Sequence, residues 1–294
     1  MSRMLIATSL NIFWDQEMSI STDRMLERCA QAGFGGVDYN FCDFDKSMIE
    51  QMSGASGPAS YFRSVRAKAE ALGLRFVQAH GPMFNQFAEP ASIADRVALS
   101  HDTIRWAAEL EVPWIVFHSG TFPGAFDAEH LMALRQRNVD FFASLLRTAE
   151  KVGVGIAIEN LFDQSAGPAC RRRYCATPEE LVALIDVIDH PLVGACWDVG
   201  HAHLQRLDQT RALRAVGPRL KAVHIQDNDG VTDQHMLPFW GGIDWKELVS
   251  ALREIGYEGT FCYETHRTFR DLPDALRDDM LRYAVHLGEY LLRQ

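Results

Sequence analysis

The sequence predicts an α/β fold: one (β/α)₈ barrel that forms a single domain over residues 1–294. Three features of the sequence predict it. Eight short apolar runs recur along the chain, amphipathic stretches separate them, and glycines stand where those stretches end. Parallel strands covered on both faces give such near-continuous apolar runs. A barrel needs about 250 residues. An open doubly wound sheet is the main alternative, but no G-x-G-x-x-G follows the first run.

Each apolar run is predicted to be a strand, because it is rich in valine, isoleucine, phenylalanine or alanine with little polar alternation. Eight such strands, each followed by a helix, close into a barrel rather than an open sheet. In chain order the runs are Met4–Ser9, Gly36–Phe41, Leu74–His80, Trp114–His118, Gly155–Glu159, Val193–Asp198, Leu220–Ile225 and Thr260–Glu264.

The stretches between the runs carry helical periodicity. Leu131, Leu134, Phe141, Leu145 and Ala149 recur at steps of three, four and seven, so they fall on one face of a helix. We therefore predict a helix there whose apolar face packs on the barrel.

Helix ends can also be located. Thr177-Pro178 with Glu180 combines an N-cap, a proline at the first helical position and a capping-box glutamate, and Asp244 with Glu247 repeats the cap. Glycines placed shortly before predicted strands are expected at helix C-termini. They are Gly33, Gly73, Gly153 and Gly256.

The composition excludes several classes of protein. At 47% hydrophobic residues the chain can bury a core, which rules out intrinsic disorder. The 29 lysines and arginines against 39 aspartates and glutamates give a net charge of −10, which disfavours nucleic acid as a partner. No run approaches the roughly 18 apolar residues of a membrane span. We expect a cytoplasmic protein with a small-molecule partner, no membrane contact and, by default, a homo-oligomeric state.

The cysteines agree with that compartment. They show no C-x-x-C pair and no spacing typical of secreted disulfide frameworks, so reduced thiols are expected. The six are Cys29, Cys42, Cys170, Cys175, Cys196 and Cys262.

Six of the eight predicted strands end in a histidine, aspartate or glutamate. Barrels of this kind carry their chemistry at the C-terminal ends of the strands and in the loops that follow. These six side chains are therefore the first candidates for a functional site. They are His80, His118, Glu159, Asp198, His224 and Glu264.

Four of these residues come from successive strands and predict a metal site. Glu159, Asp198, His224 and Glu264 would converge above the barrel axis and offer the mixed oxygen and nitrogen ligands that suit Mn²⁺, Zn²⁺, Co²⁺ or Mg²⁺. Three carboxylates packed together without a cation would repel one another. We expect one divalent ion, with room in the ligand set for additional ions. For any one residue, the alternative is a helix-capping acid or a core histidine.

Three further residues stand close to this set in the sequence. His201 lies three positions after Asp198, and Asp233 and His235 follow the seventh strand. They are candidates for extra ligands, for groups that orient the ligands, or for substrate contacts, and a solvated polar loop is the alternative for the Asp-x-His pair. The other histidines are interpreted as ordinary helix or loop residues. These are His101, His130, His190, His203, His266 and His286.

The loops also offer candidate walls for a binding site. Asn11–Trp14 after the first strand and Phe239–Trp240 after the seventh could form apolar faces against a sugar ring, or cover helix ends or a dimer contact. Arg171–Arg173 after the fifth strand could clamp a phosphate or carboxylate, or remain a hydrated run of charge.

The combined motifs resemble a known superfamily. IEN, then WDVGHAH, VHIQDNDG, DQH, GGIDW and YET resemble the xylose-isomerase-like TIM-barrel superfamily over essentially the whole chain. Its members include sugar-phosphate isomerases and epimerases, inosose dehydratases, hydroxypyruvate isomerases, ketose 3-epimerases and zinc-dependent apurinic-site endonucleases.

The resemblance implies roles for the strand-end residues. Glu159, Asp198, His224 and Glu264 would bind one catalytic divalent ion. As in the ketose 3-epimerases, Glu159 and Glu264 would also exchange protons with opposite faces of a substrate carbon. An arginine that those epimerases place shortly after the seventh-strand histidine is missing, since Gln226 and Asp227 follow there.

The resemblance to the endonucleases implies a different ligand inventory. Their three-zinc cluster uses the four positions above and five more, all of which this chain has. The acidic net charge and the lack of a basic stripe along the sequence argue against that activity. The five additional positions match His80, His118, His201, Asp233 and His235.

These observations predict a metal-dependent isomerase or epimerase of a sugar, sugar phosphate or related hydroxy-carbonyl compound, acting through an ene-diolate. Glu159, Glu264 and His201 are its predicted catalytic residues. The alternatives are a dehydratase of an inosose or cyclic keto-acid, a zinc-dependent apurinic-site endonuclease, and a non-enzymatic sugar-sensing barrel. The predicted substrate-binding residues are Trp14, His80, His118, Arg173, Asp233 and His235.

Overall fold

Eight parallel strands form the centre of the protein in a computed structural model, which describes residues 4–16, 20–42, 44–88, 93–166 and 169–294. All eight predicted strands are present, and the (β/α)₈ barrel is confirmed. A short antiparallel hairpin follows the fifth barrel strand. In chain order the strands are β1 (Ile6–Ser9), β2 (Gly36–Asn40), β3 (Arg75–His80), β4 (Trp114–His118), β5 (Gly155–Glu159), β6 (Gln164–Ala166), β7 (Ala169–Arg171), β8 (Val193–Asp198), β9 (Leu220–His224) and β10 (Phe261–Tyr263).

The barrel strands follow the chain order around the ring. They run β1, β2, β3, β4, β5, β8, β9, and β10 pairs with β1. The ring closes just beyond β9, where the Ile225 amide donates to the carbonyl of Cys262 over 2.8 Å and the Glu264 amide donates to the carbonyl of Ile225 over 3.0 Å. Closure leaves no free sheet edge at this point.

Helices cover the outside of the barrel. The predicted helix containing Leu134 and Leu145 is α5, and both side chains are fully buried. A 3₁₀ helix, Leu10–Gln16, follows β1. The helices are α1 (Thr22–Ala32), α2 (Lys46–Ser53), α3 (Gly57–Ala71), α4 (Ile93–Glu109), α5 (Ala128–Val152), α6 (Pro178–Ile188), α7 (Val199–Leu204), α8 (Gln209–Val216), α9 (Trp245–Glu254), α10 (His266–Arg270) and α11 (Asp274–Leu291).

The predicted helix ends are confirmed where the structure describes a cap. The Thr177 hydroxyl accepts from the Glu180 amide, and the Asp244 carboxylate accepts from the Glu247 amide. Gly33 and Gly153 end α1 and α5 with φ of +99° and +75°, in the left-handed region that a residue with a Cβ enters only at a cost.

Strand periodicity decides which side chains enter the barrel. Small buried residues line its interior and form clusters separate from the main core between sheet and helices. Since successive strand side chains alternate in direction, the residue two positions later also points inward, at the C-terminal mouth. Five strands follow this rule: Val116 precedes His118, Ala157 precedes Glu159, Cys196 precedes Asp198, Ala222 precedes His224 and Cys262 precedes Glu264.

The strand register then brings these residues level with one another. His118 pairs with Glu159 across β4 and β5, and Asp198 pairs with His224 across β8 and β9. The sheet therefore delivers four polar side chains to one layer at the mouth.

No helix within the described ranges is long and apolar enough to cross a membrane. All cysteines whose side chains are described are buried and form no disulfide, and Cys170 lies outside that set. They are Cys29, Cys42, Cys175, Cys196 and Cys262.

Candidate active site

A cavity of about 1000 Å³ opens at the C-terminal ends of the barrel strands. Asp198 and His224, two of the predicted site residues, lie beneath it and are fully buried. The structure brings the other nine together along its lining. They are Trp14, His80, His118, Glu159, Arg173, His201, Asp233, His235 and Glu264.

The four predicted metal ligands form one cluster, which we call the floor cluster: Glu159, Asp198, His224 and Glu264. Each offers one donor atom within 4.8 Å of the others, and all four residues are buried. Nδ1 of His224 lies 3.3 Å from Oε1 of Glu159 and 3.4 Å from Oε2 of Glu264. Donors from four different strands therefore face a common point.

Glu159 is surrounded by imidazoles. Nε2 of His118 and Nε2 of His80 lie 3.0 Å and 3.2 Å from its Oε2. Nδ1 of His201 lies 3.2 Å from Oε1. Burial favours the neutral acid, but His224 and His118 outweigh it and hold the pKa of Glu159 well below its usual range. Glu159 is thus an anion held in place from both sides.

Asp198 has one oxygen bonded and one free. Its Oδ1 caps α7 by accepting from the His201 amide over 2.7 Å and also accepts from Nε2 of Gln226 over 3.2 Å. Asn160 fixes the backbone here, because its Oδ1 accepts from the Asp198 amide over 2.7 Å. Oδ2 has no hydrogen-bond partner within the described part of the chain. Burial raises the pKa of Asp198 to about 6.

The floor cluster fits a divalent cation. Both ring nitrogens of His224 are buried without a hydrogen-bond partner among the described residues, as is Oδ2 of Asp198. Buried polar atoms without partners are costly. A hard or borderline cation would bind the free oxygen and nitrogen donors and offset the repulsion between three carboxylates.

A second cluster, the wall triad, consists of His201, Asp233 and His235. Its donor atoms also lie within 4.8 Å of one another. Nε2 of His235 lies 3.1 Å from Oδ2 of Asp233, and Nδ1 donates to the backbone carbonyl of Glu264 over 3.0 Å. Burial lowers the pKa of His235, but Asp233 outweighs it and raises the pKa to about 9. The polar atoms of His235 therefore already have hydrogen-bond partners, one of them within the wall triad.

Two groups position the loop that carries the wall triad. Nε2 of Gln226 donates to Oδ1 of Asp233 over 3.0 Å as well as to Asp198, so it joins the two clusters. The buried carboxylate of Asp227 accepts from Nε1 of Trp245 over 2.9 Å and from the Phe239 amide over 3.0 Å. These contacts explain the VHIQDNDG and IDW segments as one loop scaffold.

The loop residues predicted to form apolar walls line the cavity only in part. Trp14 is 45% exposed and lines the cavity, and Asn11 donates from Nδ2 to Oε1 of Glu264 over 3.3 Å. Ile12 and Phe13 between them are buried in the core. Phe239 and Trp240 as cavity walls are wrong: both are exposed and neither lines the cavity, since the backbone anchored by Asp227 places them outside it.

The arginine run faces the cavity. Arg171, Arg172 and Arg173 all line it. Arg172 pairs with Glu180 and its guanidinium lies 4.8 Å from the centre of the Phe126 ring. The hydrated-run alternative is therefore wrong for Arg172 and Arg173, which are half-buried.

His266 was interpreted as an ordinary residue, and this is wrong. It begins α10, lines the cavity, and its ring centre lies 4.4 Å from that of His235. Burial lowers its pKa to about 4. Its position two residues after Glu264, in YETH, is the sequence signal for it. Arg267 and Cys42 also line the cavity, and the Sγ of Cys42 is 3.0 Å from Nδ1 of His80.

Comparison with known proteins agrees with this architecture. The family model described as xylose isomerase-like TIM barrel matches residues 26–284. The match confirms the resemblance carried by the strand-end motifs.

Individual relatives are distant. The chain is 28% identical to an uncharacterised protein of Methanocaldococcus jannaschii, with 69% of this chain and 66% of that protein covered, just under two thirds of its length. It is 22% identical to D-psicose 3-epimerase of Ruminiclostridium cellulolyticum, with 95% of each covered. The solved structure of a D-psicose 3-epimerase in the presence of D-fructose has a TM-score of 0.76 at 20% identity, with 98% of this chain and 99% of that chain covered. This last likeness concerns the fold.

Proposed function

We propose that this chain, which belongs to the xylose isomerase-like TIM barrel family, is a metal-dependent isomerase or epimerase of a sugar, sugar phosphate or related hydroxy-carbonyl compound. The floor cluster is the observation that carries the proposal, because three of its buried donor atoms have no hydrogen-bond partner among the described residues and the set fits a divalent cation. The similarity of the chain to sugar 3-epimerases supports the same reaction class.

The floor cluster divides into two pairs by access. Glu159 and Glu264 line the cavity, whereas Asp198 and His224 lie below it with no exposed surface. Only the two glutamates can therefore touch a substrate as well as a metal ion. This difference in access supports our assignment of proton transfer to Glu159 and Glu264.

The metal would be held by all four residues of the floor cluster. When bound, it would supply Lewis acidity to a substrate carbonyl, which makes the neighbouring C–H bond more acidic. Manganese and zinc are the leading candidates, with cobalt and magnesium as the others that the mixed donor set accepts.

The two glutamates then perform the proton transfer. One carboxylate removes the proton from the carbon beside the carbonyl, and the other returns a proton. Return to the opposite face of the same carbon gives an epimer, and return to the adjacent carbon gives an isomer. Nδ1 of His224 lies 3.3 Å from Oε1 of Glu159 and 3.4 Å from Oε2 of Glu264, and this proximity supports the action of both carboxylates on one substrate carbon.

The wall residues would orient the substrate oxygens. Nδ1–H of His201 donates to the Asn160 carbonyl over 2.9 Å, which leaves Nε2 on the other side of the ring, 3.8 Å from Asp233. Asp198 and Asp233 outweigh burial and raise the pKa of His201 well above its usual value. We assign to the protonated Nε2 of His201 the stabilisation of the negative charge that develops on the substrate oxygen. The substrate contacts assigned with it are Trp14, His80, His118, Arg173, Asp233 and His235.

Hydrogen exchange tests this function. The protein loaded with Mn²⁺ is incubated in D₂O with a panel of ketoses and ketose phosphates, and deuterium beside the carbonyl is measured by mass spectrometry and NMR. We expect exchange in at least one compound, and a loss of about 10³-fold or more in Glu159→Gln and Glu264→Gln, because each removes an acid/base group.

Glu254→Gln is the matched control. Glu254 is exposed and pairs with Arg214 far from the cavity, so this variant should keep full exchange. Exchange that persists in both cavity variants, or no exchange anywhere in the panel with metal bound, would contradict the proposal.

A further inference from the structure

The geometry points to a substrate with an anionic group, a carboxylate or a phosphate, bound by Arg173. This inference deepens the proposed function and rests on it for the identity of the site. It starts from Arg173, which lies half-buried in the cavity lining within the loop that follows β7.

The backbone of Arg173 is held from two directions. Its amide donates to Oδ1 of Asp163 over 2.9 Å, and Oδ2 of Asp163 accepts from Nε2 of Gln205 over 3.2 Å. The next residue, Tyr174, donates its amide to the Thr121 hydroxyl over 2.8 Å. The loop therefore presents the Arg173 side chain from a fixed position, as a preorganised binding residue needs.

The guanidinium of Arg173 makes no direct polar contact with the described residues. Within the described ranges it has no ion pair and no hydrogen bond, whereas its neighbour Arg172 pairs with Glu180. Burial lowers the pKa of Arg173, which records the cost of removing this cation from water. An anion bound in the cavity would offset that cost with charge-assisted, bidentate hydrogen bonds.

The nearby carboxylates are already engaged. Glu159, Asp233 and Asp163 act on Arg173 through their charge. Both oxygens of Asp163 accept hydrogen bonds, from the Arg173 amide and from Nε2 of Gln205. However, Oε2 of Glu159 faces two imidazoles, and Asp233 is bonded by Gln226 and His235. A divalent ion in the floor cluster would take up the charge of Glu159 as well. Arg173 would then be the least compensated charge in contact with the substrate.

Two further arginines of the cavity lining carry the same positive charge as Arg173. Arg171 and Arg267 are exposed and line the cavity, and no lysine occurs among the described lining residues. The chain as a whole carries a net charge of −10, so a cavity bordered by arginines departs from the average surface. Arginine forks match carboxylate and phosphate oxygens, and a neutral sugar does not require them.

Calorimetric binding to the Mn²⁺-loaded protein tests the inference. The probes share one ketohexose skeleton: D-fructose, D-fructose 6-phosphate and D-fructuronate. At least one anionic probe should bind about ten-fold or more tightly than D-fructose. The preference should fall as KCl rises from low to high concentration. The tighter of the two anionic probes identifies phosphate or carboxylate as the group recognised.

Arg173→Gln should remove this preference, so that the variant binds D-fructose and the tighter anionic probe with affinities within about two-fold of each other. Arg214→Gln, which changes an exposed arginine paired with Glu254, should leave all affinities unchanged. Equal binding of neutral and anionic probes by the unmodified protein would overturn the inference whether or not the variant folds. A preference retained in folded Arg173→Gln would overturn it as well.

The two proposals fail differently. Anion-selective binding through Arg173 without deuterium exchange in any probe would contradict the proposed function and support this inference. Exchange in D-fructose that is unaffected by Arg173→Gln, with no anionic preference, would support the function and overturn the inference.

Discussion

The floor cluster and the wall triad contain similar residue types but differ in how their atoms are satisfied. The floor cluster leaves Oδ2 of Asp198 and both nitrogens of His224 without partners among the described residues. In the wall triad, His235 bonds to Asp233 and to the Glu264 backbone, and Asp233 also accepts from Gln226. A cluster of histidines and carboxylates can therefore satisfy its polar atoms internally or leave some of them without hydrogen-bond partners. The spacing of the residues in the sequence does not separate the two cases.

The origin of the two clusters explains the difference. The floor residues stand at strand ends whose direction the barrel fixes, so they cannot turn away from one another. The wall triad lies on α7 and on the loop after β9, where the chain is free to settle into mutual hydrogen bonds. This difference supports our proposal that metal binding belongs to the floor cluster and substrate orientation to the wall triad.

Asp198→Asn should produce the largest effect. It keeps the Oδ1 cap of α7 but replaces the unpartnered oxygen with an amide that cannot bind a cation. We expect Mn²⁺ affinity to fall by at least about 100-fold and exchange to fall with it. Metal titration by calorimetry measures this. Asp208→Asn, at the exposed N-cap of α8, is the control; unchanged metal affinity in Asp198→Asn would place the cation elsewhere.

His201→Gln should affect the reaction and spare the metal. Because His201 is assigned to the substrate oxygen, kcat should fall by about 100-fold while the Mn²⁺ content stays at one ion per chain. Steady-state kinetics with metal analysis checks both values. His286→Gln, on the exposed face of α11, should change neither. Loss of the metal in His201→Gln would mean that the floor cluster and the wall triad form one metal centre, which would contradict the separation proposed above.

Asp227→Asn should destabilise the loop that carries Asp233 and His235 of the wall triad. Oδ1 of Asp227 accepts from the Asn228 and Ile243 amides. An asparagine has a single acceptor oxygen, so when that oxygen keeps these two donors, the Trp245 indole and the Phe239 amide lose their partner. Two buried donors without partners should lower the free energy of unfolding by about 3 kcal/mol, measured by urea denaturation. Asp229→Asn, an exposed residue of the same loop whose Oδ1 acceptor is kept, should change it by less than about 1 kcal/mol.

The fold and the floor cluster were accessible from the sequence for one physical reason. Strand residues alternate strictly, and a closed barrel brings all strand ends to one mouth, so Glu159 and His224 follow from the apolar runs that precede them. No comparable rule predicts which loop residues line the cavity. His266 and Phe239 both follow strands in loops, yet His266 enters the cavity and Phe239 does not, because long-range contacts such as those of Asp227 direct the backbone.

Two tryptophans of equal exposure give the smallest expected effect and a sensitive comparison. Trp14 and Trp240 are 45% and 46% exposed, but only Trp14 lines the cavity. Trp14→Ser should raise KM by about ten-fold through the lost ring face, and Trp240→Ser should leave KM within about two-fold. Kinetics on the best substrate of the exchange panel measures both; equal effects would mean that the cavity wall does not bind substrate.

Anomalous diffraction from crystals grown with Mn²⁺ addresses the metal site itself. One strong peak should lie between Glu159, Asp198, His224 and Glu264, within coordination distance of a donor atom of each residue. A mouth with no peak, or a peak coordinated by His201, Asp233 and His235 alone, would contradict the assignment of the floor cluster as the metal centre.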